Sequence, residues 1–427
     1  MNKEKEILIL LIPVIFLTLG VFYQSNIENM DYVSISSLPQ LCYTISACTL
    51  VLAIIFIVIK NKFYRGFRYG ITYYLTMSSL EKQLNNAGVY DNKENKASLP
   101  RIELEFSKDL SEGILKIENS IYLDERLNNI LLSAGLSNYI VEQHYKTMNE
   151  SEYIYELIDS SITYRPVYNN FEDFLYHNKN CGKYCLIFDN RFDNVPLHHT
   201  LLTGQTGSGK SYFLYGIILQ MLNKDIDYNI YFCDPKMSGL SVIGNKVSPN
   251  KTAVSFDEIV LLLEKFVAEI DERKIKMENL LCRKLDSDYK DFDIEPMIFM
   301  IDEFASFSYS LENKDKKTRD KVNDLIAKII LEGRQLGAFF WAVMQKSDSK
   351  LISTAFRENM PVKVVLGNSE KQTYVTTFGQ GIDVPNKKFD IGEGVFISPQ
   401  VARIPKILFT PFYNFEILKY MTKAPDM

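Results

Sequence analysis

The octapeptide Gly204-Gln-Thr-Gly-Ser-Gly-Lys-Ser211 constrains this chain more than any other feature. Its spacing is GxxxxGK[ST], the apolar run Thr200-Leu-Leu-Thr203 stands directly before it, and a helical pattern follows over Ser211–Asn223. A strand that ends in a glycine-rich turn and opens a helix aims successive backbone N–H groups at one point, and the helix N-terminus adds a favourable dipole. Gly204, Thr206, Gly207, Ser208 and Gly209 therefore read as a phosphate cradle, with glycine wherever the backbone must turn in ways closed to a side chain. Lys210 is expected at the β- and γ-phosphates and Ser211 as a ligand to Mg2+. The implied cofactors are ATP and Mg2+.

A second segment completes the chemistry. Pro296-Met-Ile-Phe-Met-Ile-Asp-Glu303 is an apolar run of strand length that ends in two carboxylates. Asp302 is expected to hold Mg2+ through water and Glu303 to polarise the attacking water, so hydrolysis rather than binding alone is the expected activity. Around these segments, strand-length runs (Tyr184–Phe188, Thr200–Thr203, Asn229–Cys233, Met297–Ile301, Phe339–Val343, Val362–Leu366) alternate with helical patterns such as Phe256–Met277 and Lys317–Leu336. That alternation predicts an α/β fold, a RecA-like P-loop NTPase motor with a mainly parallel sheet covered on both faces, over residues 181–427.

Two apolar runs open the chain, Ile7–Phe22 and Leu38–Ile59. A helix needs roughly 20 such residues to cross a bilayer. The second run reaches that length, and the first does so when extended through Tyr23. A cleaved signal peptide begins with such a run too, but the second span would remain and no small-residue cleavage pattern follows the first. Lys3 and Lys5 precede the first run, and Lys60, Lys62, Arg65 and Arg68 follow the second. The stretch between, Gln24–Gln40, has no Lys or Arg but carries Glu28 and Asp31. The positive-inside rule then makes residues 1–63 a two-helix transmembrane hairpin of the cell membrane, with both ends and the motor in the cytoplasm.

Residues 64–180 read as a polar juxtamembrane connector (Tyr64–Leu99, with an exposed loop over Asn85–Lys96) and a small α+β region. In that region Arg101–Phe106 alternates as a strand does, and Asp124–Gly135 and Ser137–Asn149 read as helices. The 427-residue chain carries a net charge of −5, so a DNA role needs a local basic lining such as a ring pore. Its four histidines are too scattered for a metal or catalytic site, and His198-His199, just before a strand, reads as structural. The six cysteines include no second ligand pair near Cys181 and Cys185 and read as free thiols.

From Pro196 to about Ser398 the ordered motifs resemble the motor of FtsK/SpoIIIE-type DNA translocases. The P-loop resembles the family's G-x-T-G-S-G-K-S, and Asp234-Pro-Lys236 its D-P-K. Ile301-Asp-Glu-Phe-Ala305 resembles I-D-E-F-A, and Gly333-Arg-Gln-Leu-Gly337 resembles A-R-x-x-G. Gln345 stands where the family has its sensor glutamine, and Arg357-Glu-Asn-Met-Pro361 resembles K-A-N-I-P. The resemblance implies a homo-hexameric ring around DNA in which a neighbouring subunit lends a cation to each site, with Arg334, Arg357 and Lys363 as candidates. Lys363 stands where the family has Arg, and Lys is a poorer bidentate partner. Pore loops of such a ring would draw on Lys236, Ser238 and Gly239, and on Lys346, Ser347 and Lys350, to grip phosphates without reading bases.

Two spans joined to one motor, with no winged-helix segment in the tail, resemble the TcpA-like coupling proteins of Gram-positive conjugative elements. That resemblance implies relaxase and secretion-channel subunits as partners, and delivery of DNA to a type IV secretion channel. Chromosome or plasmid segregation and the energising of protein export are the competing readings.

Overall fold

Both apolar runs at the N-terminus form helices, α1 (Lys3–Asn26) and α2 (Leu38–Lys60). The computed structural model describes residues 3–26, 38–93, 96–130, 132–347, 354–385 and 387–421. Among the described residues one helix is long and apolar enough to cross a membrane, α2, with 23 residues and a mean hydropathy of 2.6. The described apolar part of α1, Leu10–Ser25, is shorter, about 24 Å at 1.5 Å per residue against a core of about 30 Å. The expected pair of spans is thus met by one helix of full length. The two helices do pack together: Ser46 Oγ donates to the Pro13 carbonyl at 2.8 Å, and the Tyr43 ring lies on Gly20. The Glu28 and Asp31 of the intervening stretch lie outside the described residues.

The chain divides into two units, Met1–Ile162 and Thr163–Met427. In the first, the expected polar connector contains a 20-residue helix, α3 (Phe67–Asn86), and Asp91–Lys93 pairs with Lys96–Ser98. Tyr69, Thr76, Leu80 and Leu84 recur at helical spacing and turn one face of α3 into the core. That core is closed by an antiparallel sheet of β1 (Ile102–Phe106), β2 (Glu112–Glu118), β3 (Tyr139–Lys146) and β4 (Glu152–Asp159), in the order β1-β2-β4-β3, with Leu104, Leu115, Ile117 and Tyr153 buried. The helix expected over Asp124–Gly135 is a short α4 (Asp124–Asn129) followed by a 3-10 turn. The helix expected over Ser137–Asn149 is strand β3. A bulge between Val141 and Gln143 shifts the alternation, so that Tyr139 and the Glu142–Gln143 pair are buried at a spacing that mimics a helix.

Thr163–Asn180, expected to lie outside the motor, clusters with it. Helix α5 (Phe171–Asn180) starts at the Asn170 side-chain cap and sinks Phe174 into the core, while Val167–Tyr168 pairs with Phe412–Tyr413. The second unit is built on eight strands. In chain order these are β5 (Thr200–Gly204), β6 (Asn229–Cys233), β7 (Thr252–Ala253), β8 (Met297–Ile301), β9 (Ala338–Met344), β10 (Val362–Leu366), β11 (Glu393–Ser398) and β12 (Ala402–Phe409). Their order in the sheet is β7-β6-β8-β9-β5-β10-β11-β12. The first six run parallel and the last two add antiparallel, a mainly parallel sheet consistent with a RecA-like motor. Pro405 is tolerated in β12 because that strand is the sheet edge. The expected strand Tyr184–Phe188 shrinks to Cys185–Leu186, which pairs with Val195–Pro196 apart from the main sheet.

Helices α6 (Lys210–Leu222), α7 (Gly239–Val247), α8 (Phe256–Leu281), α9 (Phe304–Glu312), α10 (Lys316–Glu332), α11 (Thr354–Glu358) and α12 (Lys371–Phe378) lie between the strands. Helix α8 begins at a Ser255/Glu258 capping box and packs Phe266 edge-on to Tyr231 and Phe299. Burying each such ring stabilises the fold by roughly 1.5–3 kcal/mol. Strands β5, β8 and β9 are buried at every residue, which explains their uninterrupted apolar sequences.

Candidate active site

In a parallel sheet, ligands bind beyond the carboxyl ends of the strands. Register brings four turns together there. Thr203 is opposite Met344, Ile301 opposite Ala342, and Cys233 opposite Ile301. The turn after β5 holds the glycine-rich loop, the turn after β6 holds Asp234 and Lys236, and that after β8 holds Asp302 and Glu303. The turn after β9 holds Gln345, exposed and placed between the P-loop strand and the acidic strand.

The loop has the shape of an anion cradle. Gly207 has φ +82° and open space where a Cβ would stand. Gly209 has φ +91° and lies so close to Gly392 that a Cβ would sit 3.0 Å from its nitrogen. Gly204 is confined by Ser208 Oγ and the Leu366 carbonyl. The Gly392 N–H donates to the Ser208 carbonyl at 2.9 Å, which fastens the loop before β11 to the cradle. Helix α6 has Gly209 at its N-cap and no side-chain cap, so its first N–H groups face the cradle. Ser208 Oγ is buried with no hydrogen-bond partner, and Lys210 makes no ion pair among the described residues. Burial pushes the Lys210 ammonium below its ordinary pKa, while Asp302 and Glu303 pull the other way. An unsatisfied hydroxyl, uncapped N–H groups and a half-desolvated cation around one open turn fit a polyphosphate. Thr206 is exposed on the loop, and Ser211 lies in the first turn of α6.

The acidic wall faces Lys210. Burial raises the Asp302 pKa, Lys210 opposes it, and Asp234 adds to it. Asp302 Oδ1 accepts from the Glu303 N–H at 2.9 Å, and Oδ2 from Ser238 Oγ at 3.3 Å. Glu303 adopts a left-handed backbone (φ 52°) as it caps α9, a strained conformation of the sort found at functional sites. Its carboxylate, 9% exposed, holds Lys236 Nζ at 2.9 Å. Asp234 is fully buried, and its Oδ2 accepts from Ser238 N, Ser238 Oγ and Ser241 N at 2.6, 3.0 and 2.9 Å. Sequence reasoning placed Lys236, Ser238 and Gly239 in a DNA-gripping loop. The structure instead engages Lys236 and Ser238 with Glu303 and Asp302 and lays the Tyr215 hydroxyl on Gly239. The resemblance to D-P-K was the available signal; the missing step was that β6 and β8 are neighbours.

Three candidate cations lie elsewhere. Arg334 opens the 3-10 turn before β9, Arg357 is in α11 before β10, and Lys363 is on β10 opposite Leu201. Elements that precede parallel strands sit at the opposite edge from those that follow them. A five-residue strand such as β5 separates the two edges by about 15 Å at about 3.3 Å per residue. The Arg334 and Arg357 turns are therefore distant from this chain's own P-loop, and Lys363 sits within the sheet, where burial lowers its pKa. Of the second candidate pore loop, Lys346 pairs with Glu370 at 2.8 Å and Ser347 is buried against the Thr373 carbonyl at 3.1 Å, while Lys350 lies outside the described residues. His198 and His199 are buried, and His199 Nδ1 accepts the Phe340 N–H at 3.0 Å, a structural role.

Residues 186–307 match the FtsK/SpoIIIE family. The chain is 28% identical over 204 residues to the Ftsk domain-containing protein YdcQ of Bacillus subtilis (strain 168), covering 48% of this chain and 41% of that one. It is 27% identical over 205 residues to the DNA translocase FtsK of Staphylococcus aureus (strain Mu50 / ATCC 700699), covering 44% of this chain and 25% of that one. The matched stretch is thus less than half of either relative's length. Among solved structures, the pCW3 conjugation coupling protein TcpA, a monomer form with ATPγS, superposes with a TM-score of 0.47 at 18% identity, covering 80% of this chain and 96% of that one.

Proposed function

We propose that this chain is a membrane-anchored ATPase that moves DNA, with the turn after β5 as its nucleotide site. The observation that carries the reading is the pairing of an open phosphate cradle holding an unpaired, half-buried Lys210 with the Asp302/Glu303 wall beside it. Gly204, Thr206, Gly207, Ser208 and Gly209 present the cradle, and Lys210 neutralises the phosphate chain. Ser211 and Asp302 would hold Mg2+, which would neutralise part of the charge on the phosphate chain that ATP brings. Glu303 releases Lys236, orients water and accepts its proton at the carboxylate. Gln345, between the two walls, reports on what occupies them. Arg334 or Arg357 from an adjacent copy reaches the site across a homo-hexameric ring, since each lies at the wrong edge to serve its own chain.

The DNA assignment is supported by the FtsK/SpoIIIE match and by the relatives' sequences. The finer reading is a coupling protein that hands DNA to a type IV secretion channel, with a relaxase and channel subunits as partners. It is supported by the apolar helices that stand before the motor. In this reading α1 joins α2 as a transmembrane hairpin, supported by their mutual packing and by the basic residues that flank them. The test is ATP hydrolysis by the full chain in lipid nanodiscs with double-stranded DNA, single-stranded DNA and none, beside Lys210→Ala. Stimulation by DNA that Lys210→Ala abolishes supports a DNA motor, and the preferred strand form separates transfer from segregation. A Lys210-dependent rate that no DNA alters refutes the DNA assignment and leaves protein export.

A further inference from the structure

Helix α3 has two apolar faces, and only one of them is used. Tyr69, Leu80 and Leu84 pack into the core of the first unit. On the opposite side Phe67, Ile71, Tyr74 and Leu75 are exposed, at 75, 39, 54 and 56%. They recur at i, i+4, i+7 and i+8, a single stripe, and Arg68 lies within it. The stripe ends abruptly: the next exposed positions on α3 are Ser78, Lys82 and Gln83. The apolar part is confined to the half of the helix nearest the chain's exit from α2.

The depth of that half follows from its contacts. Arg65 donates to the Tyr69 hydroxyl at 3.1 Å, the Phe63 ring lies on Gly70, and Lys62 Nζ stands 5.0 Å from the Tyr73 ring centre. As the chain is followed back from 65 to 62, towards α2, its partners advance along α3 from 69 to 73. The segment 62–65 and the first two turns of α3 therefore run alongside each other in opposite directions. Tyr73 and its neighbours are level with Lys62, two residues past the end of α2. The reversal is made by Lys62 (φ 55°) and Gly66 (φ 127°), the latter in a conformation that favours glycine. Helix α2 is about 34 Å long at 1.5 Å per residue, enough to bring Lys60 to the headgroups.

We propose that the Phe67–Leu75 stripe of α3 lies in the cytoplasmic membrane interface and docks on anionic lipid headgroups. Aromatic residues with an apolar body and a polar tip favour that depth, as Tyr64 and Tyr74 would. Lys60, Arg65 and Arg68 supply the charge that anionic lipids attract. Glu105, an exposed carboxylate on β1, lies 3.7 and 3.6 Å from Lys62 and Arg65 and offsets part of their charge. The first unit is thereby fixed against the bilayer along a helix face as well as by its span. The proposal rests on Leu38–Lys60 being a span.

The test uses the full chain in vesicles that contain brominated lipids, with tryptophan as reporter. The chain has one Trp, Trp341, 2% exposed in the core of the second unit, so its emission is a constant background. Tyr74→Trp is expected to be quenched by bromines near the headgroups more than by bromines deep in the chains. Quenching should strengthen when a fifth of the lipid is made anionic, and Arg68→Gln should lower the docked-to-undocked ratio by about fivefold, the effect of one basic charge near such a surface. Leu50→Trp, in the middle of α2, is the reference for insertion. Quenching of Leu50→Trp without quenching of Tyr74→Trp overturns the proposal while leaving the span intact. If Tyr74→Cys then cross-links two copies, the stripe is a subunit contact instead. Loss of quenching at both positions overturns the span and the interfacial helix together.

Discussion

The ion pair between Lys236 and Glu303 makes a prediction whose size follows from the structure. A carboxylate oxygen held by an ammonium is not free to accept from water, and it has to break that contact to act. Two unit charges about 4 Å apart interact with about 4 kcal/mol at an effective dielectric of 20. Lys236 is 47% exposed, so solvent screens most of this, although Glu303 at 9% keeps one end of the pair dry. Exposed pairs contribute up to about 1 kcal/mol, and we take that figure, which corresponds to about fivefold in rate. Lys236→Met keeps the length of the stem and removes the charge. The DNA-free ATPase rate of the full chain in nanodiscs, measured with a coupled assay at saturating ATP, should rise about fivefold. The ratio of DNA-stimulated to basal rate should shrink by the same factor, because release of Glu303 is then no longer conditional. Lys236→Arg should behave as wild type. A basal rate that falls towards that of Glu303→Gln would refute the argument, since Lys236 would then be presenting Glu303 to water and not restraining it.

Four other perturbations have defined outcomes. Glu303→Gln should retain ATP binding and lose about 10²–10⁴-fold in turnover, read by nucleotide-binding titration beside the hydrolysis assay. Gly209→Ala forces a side chain into φ +91° and against Gly392, at a cost of about 2 kcal/mol, so Tm by differential scanning fluorimetry should drop by about 4–8 °C. Mixing Lys210→Ala with Arg334→Ala should restore part of the hydrolysis that each lacks alone; no recovery at any ratio argues against a cation lent between subunits. His198 and His199 are kept neutral by burial, which lowers their pKa values to about 4 and about 3 from an ordinary 6.5. The stability they contribute is whole above about pH 6.5 and is lost as the pH falls below it. At pH 5 the loss should reach about 2 kcal/mol for each, visible as a lower urea midpoint than at pH 7.

Most of the motor was legible because its signals are local. Strands β5, β6, β8 and β10 are apolar runs closed by turn residues, and the runs coincide with the strands to within a residue or so. The P-loop glycines stand where their backbone angles require them. What escaped depends on pairing between distant segments. Lys236 looks like a surface charge until β6 and β8 are set side by side, and Ser347 looks exposed until α12 covers it. The bulge in β3 erased the alternation by which a strand is recognised. Helix α3 hid in a segment read as a connector because its polar residues dilute two short apolar faces. Arg334 and Arg357 were found by motif, but their place at the far edge of the sheet follows only from strand direction.

The tether between Gly392 and the cradle has a practical side. The Ile391 carbonyl accepts from Arg165 Nη2 at 2.7 Å, and Tyr168 and Phe174 pack on Tyr413, beyond the same hairpin. Residues 163–180 therefore brace the loop that steadies the phosphate cradle. A shortened motor that starts at 181, where the sequence texture changes, would leave that loop without its prop and expose the rings beneath it. One that starts at 163 would keep the bracket whole, and a weak or aggregating motor fragment would then report on where it was cut, not on its chemistry.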